Sequence, residues 1–387
     1  MQPALSLPTW PVFEQDEIDA VSKVLASGKV NYWTGTKGKE FEQAWAEKIG
    51  TKHAIAIANG TVTLELALIA LGIGPGDDVI LTPRTFVATA TAIMVRGARP
   101  VFADIDPESG NITAESIERV LTPRTKAVIP VHIGGWPCEL DPMLELGVPI
   151  IEDCAQAHGA KYKGRSVGSF GLINSWSFCQ DKIMTLGGEG GAITCDDYDL
   201  WKRMWEYKDH GKSYDTYYGP HAPGFRWVNE GIGTNWRLTE MQSAIAIEQT
   251  RKLDRWVEAR RRNGHVLVDR LKDHPMLAVP VAPSHMANAF YRWYGYLDLD
   301  ALKSDWTRER VCDEVAKRGV WCQVGSCCEI YREKTFDGTD SRPEKPLPHA
   351  ARMGATSVSM KTDPNLTVEH MHCMADQLEG VLAEAKR

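Results

Sequence analysis

Between residues 54 and 194, short apolar segments alternate with helical ones, and few folds accommodate that pattern. Ala54 to Ala58 reads as a strand, Asn59-Gly60-Thr61 as a turn, and Val62 to Leu71 as a helix. Strand Asp78 to Thr82, helix Phe86 to Arg96 and strand Pro100 to Ala103 follow. A helix from Thr113 to Val120 leads to strand Lys126 to Pro130, and Pro149 to Glu152, Ser175 to Phe178 and Gly191 to Thr194 read as further strands. Such segments predict an α/β fold with a mainly parallel sheet covered by helices on both faces. From Leu238 the pattern turns helical, with Glu240 to Glu258 running into Arg260-Arg261-Arg262, read as a solvated helix face. A smaller α+β domain is expected beyond it, with strand Trp293 to Leu297, helix Val311 to Arg318 and a closing helix from Val368. The divide is placed between a large domain over 1–250 and a small one over 251–387. Asp337 to Pro348 reads as an exposed loop.

Composition narrows the function classes. A net charge of −7 on 387 residues lacks the basic footprint of a general nucleic-acid binder. The nine cysteines show no zinc-type spacing, and reduced thiols in a cytoplasmic protein are the economical reading. Cys322, Cys327 and Cys328 read as packing residues. Met1 to Pro8 has neither a basic start nor an apolar stretch suited to a signal peptide. The most apolar window, Ala54 to Ile73, is broken by Asn59, Gly60, Thr61 and Glu65, so no membrane association is expected. His370 and His372, two apart on a helix, face different ways, and no metal site is expected.

Chemistry is concentrated around Lys182, in Ser177-Phe-Cys-Gln-Asp-Lys182 ahead of Gly187-Gly188-Glu189-Gly190-Gly191. A lone lysine beside glycines is ordinarily a solvated charge. Upstream, Glu152-Asp153 ends an apolar strand, where an open α/β sheet carries its ligand crevice. Asp153 either caps the next helix or faces a cationic partner such as a pyridinium nitrogen, because a buried unpaired carboxylate is expensive. Asn59-Gly60-Thr61-Val62 lies between strand and helix, suited either to a phosphate or to a cap by Thr61. Gly72-Ile-Gly74-Pro-Gly76 precedes a strand instead of opening a helix, which argues against dinucleotide binding.

Taken in order, these motifs resemble the DegT/StrS-type sugar aminotransferases, pyridoxal-phosphate enzymes of fold type I. The resemblance runs from Tyr32-Trp-Thr34-Gly35, Thr82-Pro-Arg-Thr-Phe86 and Val101-Phe-Ala-Asp-Ile-Asp106 through Glu152-Asp-Cys-Ala-Gln156-Ala-His-Gly159 and Ser177 to Lys182. It closes in the large domain with Gly233-Thr-Asn235-Trp-Arg237-Leu-Thr-Glu-Met-Gln242. It implies a large domain with a seven-stranded-type sheet, plus the small C-terminal domain. It also implies pyridoxal 5'-phosphate as cofactor, joined to Lys182 as a Schiff base, with Lys182 as proton carrier. Asp153 would pair with the ring nitrogen, Gln156 with the phenolic oxygen, and Phe86 would stack on the ring. The phosphate would sit on Gly60, the amides of Thr61 and Val62, and the Ser177 hydroxyl. Asn235 would reach it from the other subunit of a homodimer, with Trp236 and Arg237 at the interface.

Lysine rather than histidine at 182 implies transamination, not dehydration. The implied partners are L-glutamate and a nucleotide-linked keto sugar, aminated at C-4 or C-3, or another keto substrate such as a cyclitol. Loss of Lys182, Asp153 or Gln156 would mark a non-catalytic member; all three are present. Departures from the family pattern fall in Val324 to Tyr331 and at Lys361, segments that border the substrate cleft in relatives. Thr34, Tyr331 and Lys361 are accordingly the candidate substrate contacts.

Overall fold

The computed structural model describes residues 7–387. Seven strands form the main sheet: β1 (His53–Ile57), β2 (Asp78–Leu81), β3 (Arg99–Phe102), β4 (Thr125–Ile129), β5 (Ile151–Asp153), β6 (Ile173–Ser177) and β7 (Gly191–Cys195). The groups β1-β7-β6-β5 and β3-β2-β4 are joined by parallel bridges Val128–Ile150 and Val131–Asp153. Across the sheet the order is therefore β1-β7-β6-β5-β4-β2-β3. Only β7 runs against its neighbours, β1 and β6. Strands β2, β6 and β7 are buried along their whole length, as a sheet covered on both faces requires.

The main helices are α1 (Gln15–Ser27), α2 (Lys37–Ile49), α3 (Gly60–Ala70), α4 (Ala88–Val95), α5 (Tyr198–Lys208), α6 (Glu240–Leu271), α7 (Arg308–Lys317), α8 (Pro348–Thr356) and α9 (Val368–Ala385). One core lies on the α2 side of the sheet, with Phe41, Trp45, Trp176 and Phe178. Another lies under α3 and α4, with Leu66, Leu68 and Ile93. Helix α3 is apolar on nearly every side because it is wedged between sheet and neighbouring helices.

Helix α6 is 32 residues long and opens with a capping box, in which Thr239 and Gln242 bond each other's backbone amides. It continues unbroken past residue 250, so the expected divide falls inside a helix that belongs to both domains. Its C-terminal half, with Leu267, Val268 and Leu271, packs into the small-domain core with α9. The small sheet is antiparallel, in the order β8 (Leu277–Ala278), β9 (Trp293–Leu297), β11 (Ser357–Met360) and β10 (Cys322–Gln323).

The arginine run on α6 is not a solvated face. Arg260 is fully buried, with Nη2 3.1 Å from Asp363 Oδ1. Arg261 donates to the carbonyls of Gly159 and Asn288. These side chains bind α6 to loops of both domains, a contact that charge counting along a helix does not reveal. Among the described residues, no helix is long and apolar enough to cross a membrane.

Candidate active site

A cleft of about 830 Å³ opens at the carboxyl ends of β1, β2, β4, β5 and β6 and is closed on the other side by small-domain residues. It is lined by Gly60, Thr61, Val62, Phe86, Asp153, Gln156, Ser177 and Lys182, from four separate stretches of sequence.

Asp153 ends β5 and is almost wholly buried. Its Oδ2 accepts the Thr89 hydroxyl at 3.0 Å and its Oδ1 the Ala155 amide at 3.1 Å. Burial pushes its carboxyl above the ordinary range, opposed by those two donors and by the charge of Lys182. Such a carboxylate gains most from a cation placed against it. Lys182 follows β6 in the loop to β7, with its Nζ 3.5 Å from Asp181 Oδ1 and 5.3 Å from the Tyr291 ring centroid. The Trp10 indole N–H holds the Lys182 carbonyl at 3.0 Å. Asp181 also accepts the Tyr291 hydroxyl. Burial works to raise the Asp181 carboxyl, yet Lys182, the Tyr291 hydroxyl and Arg292 outweigh it and hold it below the usual carboxylate range.

Gln156 is oriented at both ends. Its Oε1 accepts the Gly134 amide at 2.8 Å, and its Nε2 reaches the Ser326 hydroxyl at 3.4 Å. Ser326 in turn bonds the Tyr294 hydroxyl, so the small domain reaches the cleft through this chain. Phe86 is 71% exposed and lines the cleft. Helix α3 is capped by Asn59, whose Oδ1 accepts from the Thr61 and Val62 amides; Thr61 is not the cap. A Cβ on Gly60 would lie 2.5 Å from Ser177 Cβ, so only glycine lets the helix N-terminus sit against the Ser177 hydroxyl.

These groups fit pyridoxal phosphate in kind. A buried carboxylate suits a ring nitrogen, and a lysine amine suits an aldehyde. An exposed aromatic face suits the ring, and a helix N-terminus beside a hydroxyl suits a phosphate.

Other sequence expectations lie elsewhere. Asn235 is exposed and does not line its own chain's cleft; its Oδ1 accepts the Arg237 amide at 3.4 Å. Arg237 pairs with Asp209 at 2.8 Å. Thr34 lies in a turn, bonded to the Asn31 carbonyl, away from the cleft lining. Tyr331 is buried, donating to Glu329 at 2.6 Å and accepting from the Leu347 amide at 3.1 Å, so it is a packing residue and not a substrate contact. Lys361 stands behind Trp321, its Nζ 5.6 Å from that ring, and only Trp321 reaches the cleft. The divergent segment does border the cleft, through Gly325, Ser326, Cys327 and Ile330. Cys322 and Cys328 are buried, while Cys327 is exposed.

Sequence reasoning missed Thr89, Asp181, Tyr291, Arg292 and Trp321. For Tyr291 and Arg292 the one sequence cue was the aromatic and basic run Tyr291-Arg292-Trp293-Tyr294, which leads into β9 and brings Tyr291, Arg292 and Tyr294 to the cleft.

His132, Glu152 and Cys154 are clustered as metal ligands would be. The polar atoms of His132 and Glu152 are engaged internally. Glu152 accepts from His132 Nε2 and the amides of Gly168, Phe170 and Gly171, and His132 Nδ1 accepts the Cys138 amide.

A model of the DegT/DnrJ/EryC1/StrS aminotransferase family matches residues 11–379. The solved structure of an aminotransferase from Psychrobacter cryohalolentis superposes with a TM-score of 0.95 at 47% identity, over 98% of this chain and 99% of that one. GDP-perosamine synthase of Caulobacter vibrioides is 42% identical over 237 residues, 59% of this chain and 61% of its own length. L-glutamine:2-deoxy-scyllo-inosose aminotransferase of Streptoalloteichus tenebrarius is 35% identical over 305 residues, 76% of this chain and 72% of its own length.

Proposed function

The chain belongs to the DegT/DnrJ/EryC1/StrS aminotransferases, pyridoxal-phosphate-dependent enzymes, and we propose that it moves an amino group from L-glutamate to the C-4 or C-3 keto group of a nucleotide-linked deoxy sugar. The observation that carries this reading is the convergence of Lys182, Asp153, Gln156, Phe86, Ser177 and the α3 N-terminus on one cleft. When bound, pyridoxal phosphate supplies an electron-accepting ring that keeps the amino group between two half-reactions.

The protein's own groups do the rest. Lys182 Nζ anchors the cofactor and carries a proton from the α-carbon of the amino donor. Asp153 keeps the ring nitrogen protonated, and Thr89 and the Ala155 amide orient that carboxylate. Gln156, fixed by Gly134, would bind the phenolic oxygen, and Phe86 would pack on the ring. Gly60, Thr61, Val62 and Ser177 hold the phosphate. The exposed side chain of Asn235 reaches a second copy's cleft in a homodimer, which gives its position on the surface a purpose. The setting is the cytoplasm, in surface-polysaccharide or deoxyaminosugar synthesis, consistent with nine free thiols and a relative that makes a nucleotide-linked amino sugar.

One observation favours a second acceptor: the inosose aminotransferase is similar over three quarters of the chain, so a cyclitol ketone belongs in the same trial. The test is the visible spectrum of the loaded protein. L-glutamate, or L-glutamine as the alternative donor, should bleach the yellow band. A keto sugar nucleotide, offered against a keto cyclitol, should restore it. A band that neither donor changes removes the aminotransferase assignment. Restoration by the cyclitol alone moves the acceptor out of the nucleotide sugars.

A further inference from the structure

Gln156 takes its direction from the Gly134 amide, and that amide belongs to a soft kind of turn. Gly134 and Gly135 follow one another with φ of 63° and 91°, in the left-handed region that glycine adopts without strain. Two glycines in succession also leave a turn free to move, so a donor fixed there must be held from outside.

The turn is held on two sides. From the small domain, the Ala289 amide donates to the Gly135 carbonyl at 2.9 Å and the Arg292 amide to the Gly134 carbonyl at 3.3 Å. On the other side stands Asn111, 3% exposed, from the connection between β3 and β4. Its Oδ1 accepts the Ile133 amide at 3.2 Å, and its Nδ2 donates to the Trp136 and Pro137 carbonyls, each at 3.1 Å. One side chain thus grips both flanks of the glycine pair. Its own backbone is anchored, the carbonyl accepting the Asp106 amide at 2.8 Å and the amide donating to Ser109 Oγ at 3.2 Å.

The Gly134 bond also decides which end of Gln156 serves the cleft. An N–H at Gly134 takes Oε1, which leaves Nε2, a donor, on the side of the Ser326 hydroxyl. A displaced Gly134 amide would let the side-chain amide turn over and offer an acceptor where a donor is needed.

We propose that Asn111 is a positioning residue for the amino transfer: through the Ile133–Pro137 turn and the Gly134 amide, it keeps Gln156 Nε2 ready for the phenolic oxygen of the cofactor. This role rests on the assignment of Gln156 to that oxygen under the proposed function. Asn111 does not line the cleft, so its effect on the cofactor must pass through Gln156.

The test is a double-mutant cycle on Asn111→Leu and Gln156→Leu, read by equilibrium dialysis against pyridoxal phosphate and by the position of the visible band. Gln156→Leu should weaken cofactor binding by about tenfold and shift the band, the loss of a donor to a charged oxygen. Asn111→Leu should weaken it by about threefold or more and shift the band the same way. In the Gln156→Leu background, Asn111→Leu should change neither. Should Asn111→Leu fail to fold, Asn111→Ser, with room for a water, takes its place in the cycle. Equal losses from the Asn111 change in both backgrounds would make its role structural only and overturn the proposal, as would an unchanged band and affinity in the single variant. Gln156→Leu without effect on either readout would remove the phenolic-oxygen assignment itself, and the role of Asn111 with it.

Discussion

Thr89 donates its hydroxyl to Asp153 Oδ2 at 3.0 Å, across 64 positions of sequence, and so fixes the carboxylate at the floor of the cleft. A turn of α4 thereby orients the end of β5. Asp153→Asn should slow the glutamate half-reaction by roughly a hundredfold or more, from about 3 kcal/mol of lost charge pairing. Thr89→Val should cost less, about tenfold, the value of one hydrogen bond to a charged group. Stopped-flow bleaching of the cofactor band measures both; an asparagine variant at full speed would contradict the pyridinium pairing.

Gly60→Ala tests the approach of α3 to Ser177. The added methyl would meet Ser177 Cβ at 2.5 Å, so the helix N-terminus must retreat. Overpacking of this kind costs about 1–3 kcal/mol, and cofactor affinity should fall by about ten- to a hundredfold. Equilibrium dialysis against pyridoxal phosphate gives the number, with secondary structure by circular dichroism as the control.

His158 is buried among Trp45, Trp176 and Phe178, and its imidazole is held down to about 3, first by burial and then by the charge of Lys182. A depressed folded value means that the unfolded chain binds the proton more readily. The stabilisation from a neutral ring is therefore complete above about pH 6.5 and is lost as pH falls towards 3. Urea midpoints should drop across that window, and His158→Phe should flatten the slope there. An unchanged slope would assign the acid sensitivity to other groups.

Asp363 faces two arginines, Arg260 at 3.1 Å and Arg292 at 3.8 Å. Asp363→Asn strands both cations and should destabilise the protein by about 3–5 kcal/mol. Arg260→Met should do less harm, because Arg292 remains beside the carboxylate. Chemical denaturation of both variants checks the order, and equal losses would mean that Arg292 contributes nothing.

The covered sheet, the helices of the large domain and the meeting of Lys182, Asp153 and Ser177 at one cleft were legible in the chain because they depend on local order. Ile55, Ile80, Val128 and Ile151 each sit within a short apolar run, and a parallel sheet buried on both faces is what such runs build. Lys182, Asp153 and Ser177 end strands or follow them, so their meeting at one crevice follows from strand direction. What the chain did not reveal came from distant contacts. Arg260 on helix α6 is buried against Asp363, 103 residues away in the chain, and a charge on a helix reads as solvated until its partner is known. Tyr331 is an aromatic beside a divergent loop in sequence, but its hydroxyl is taken by Glu329 and Leu347. Arg84 lies two residues from Phe86, yet one is buried against Tyr296 and the other lines the cleft. Short-range periodicity sets which face a side chain points from. Only the closure of the small domain over the sheet decides what stands opposite it.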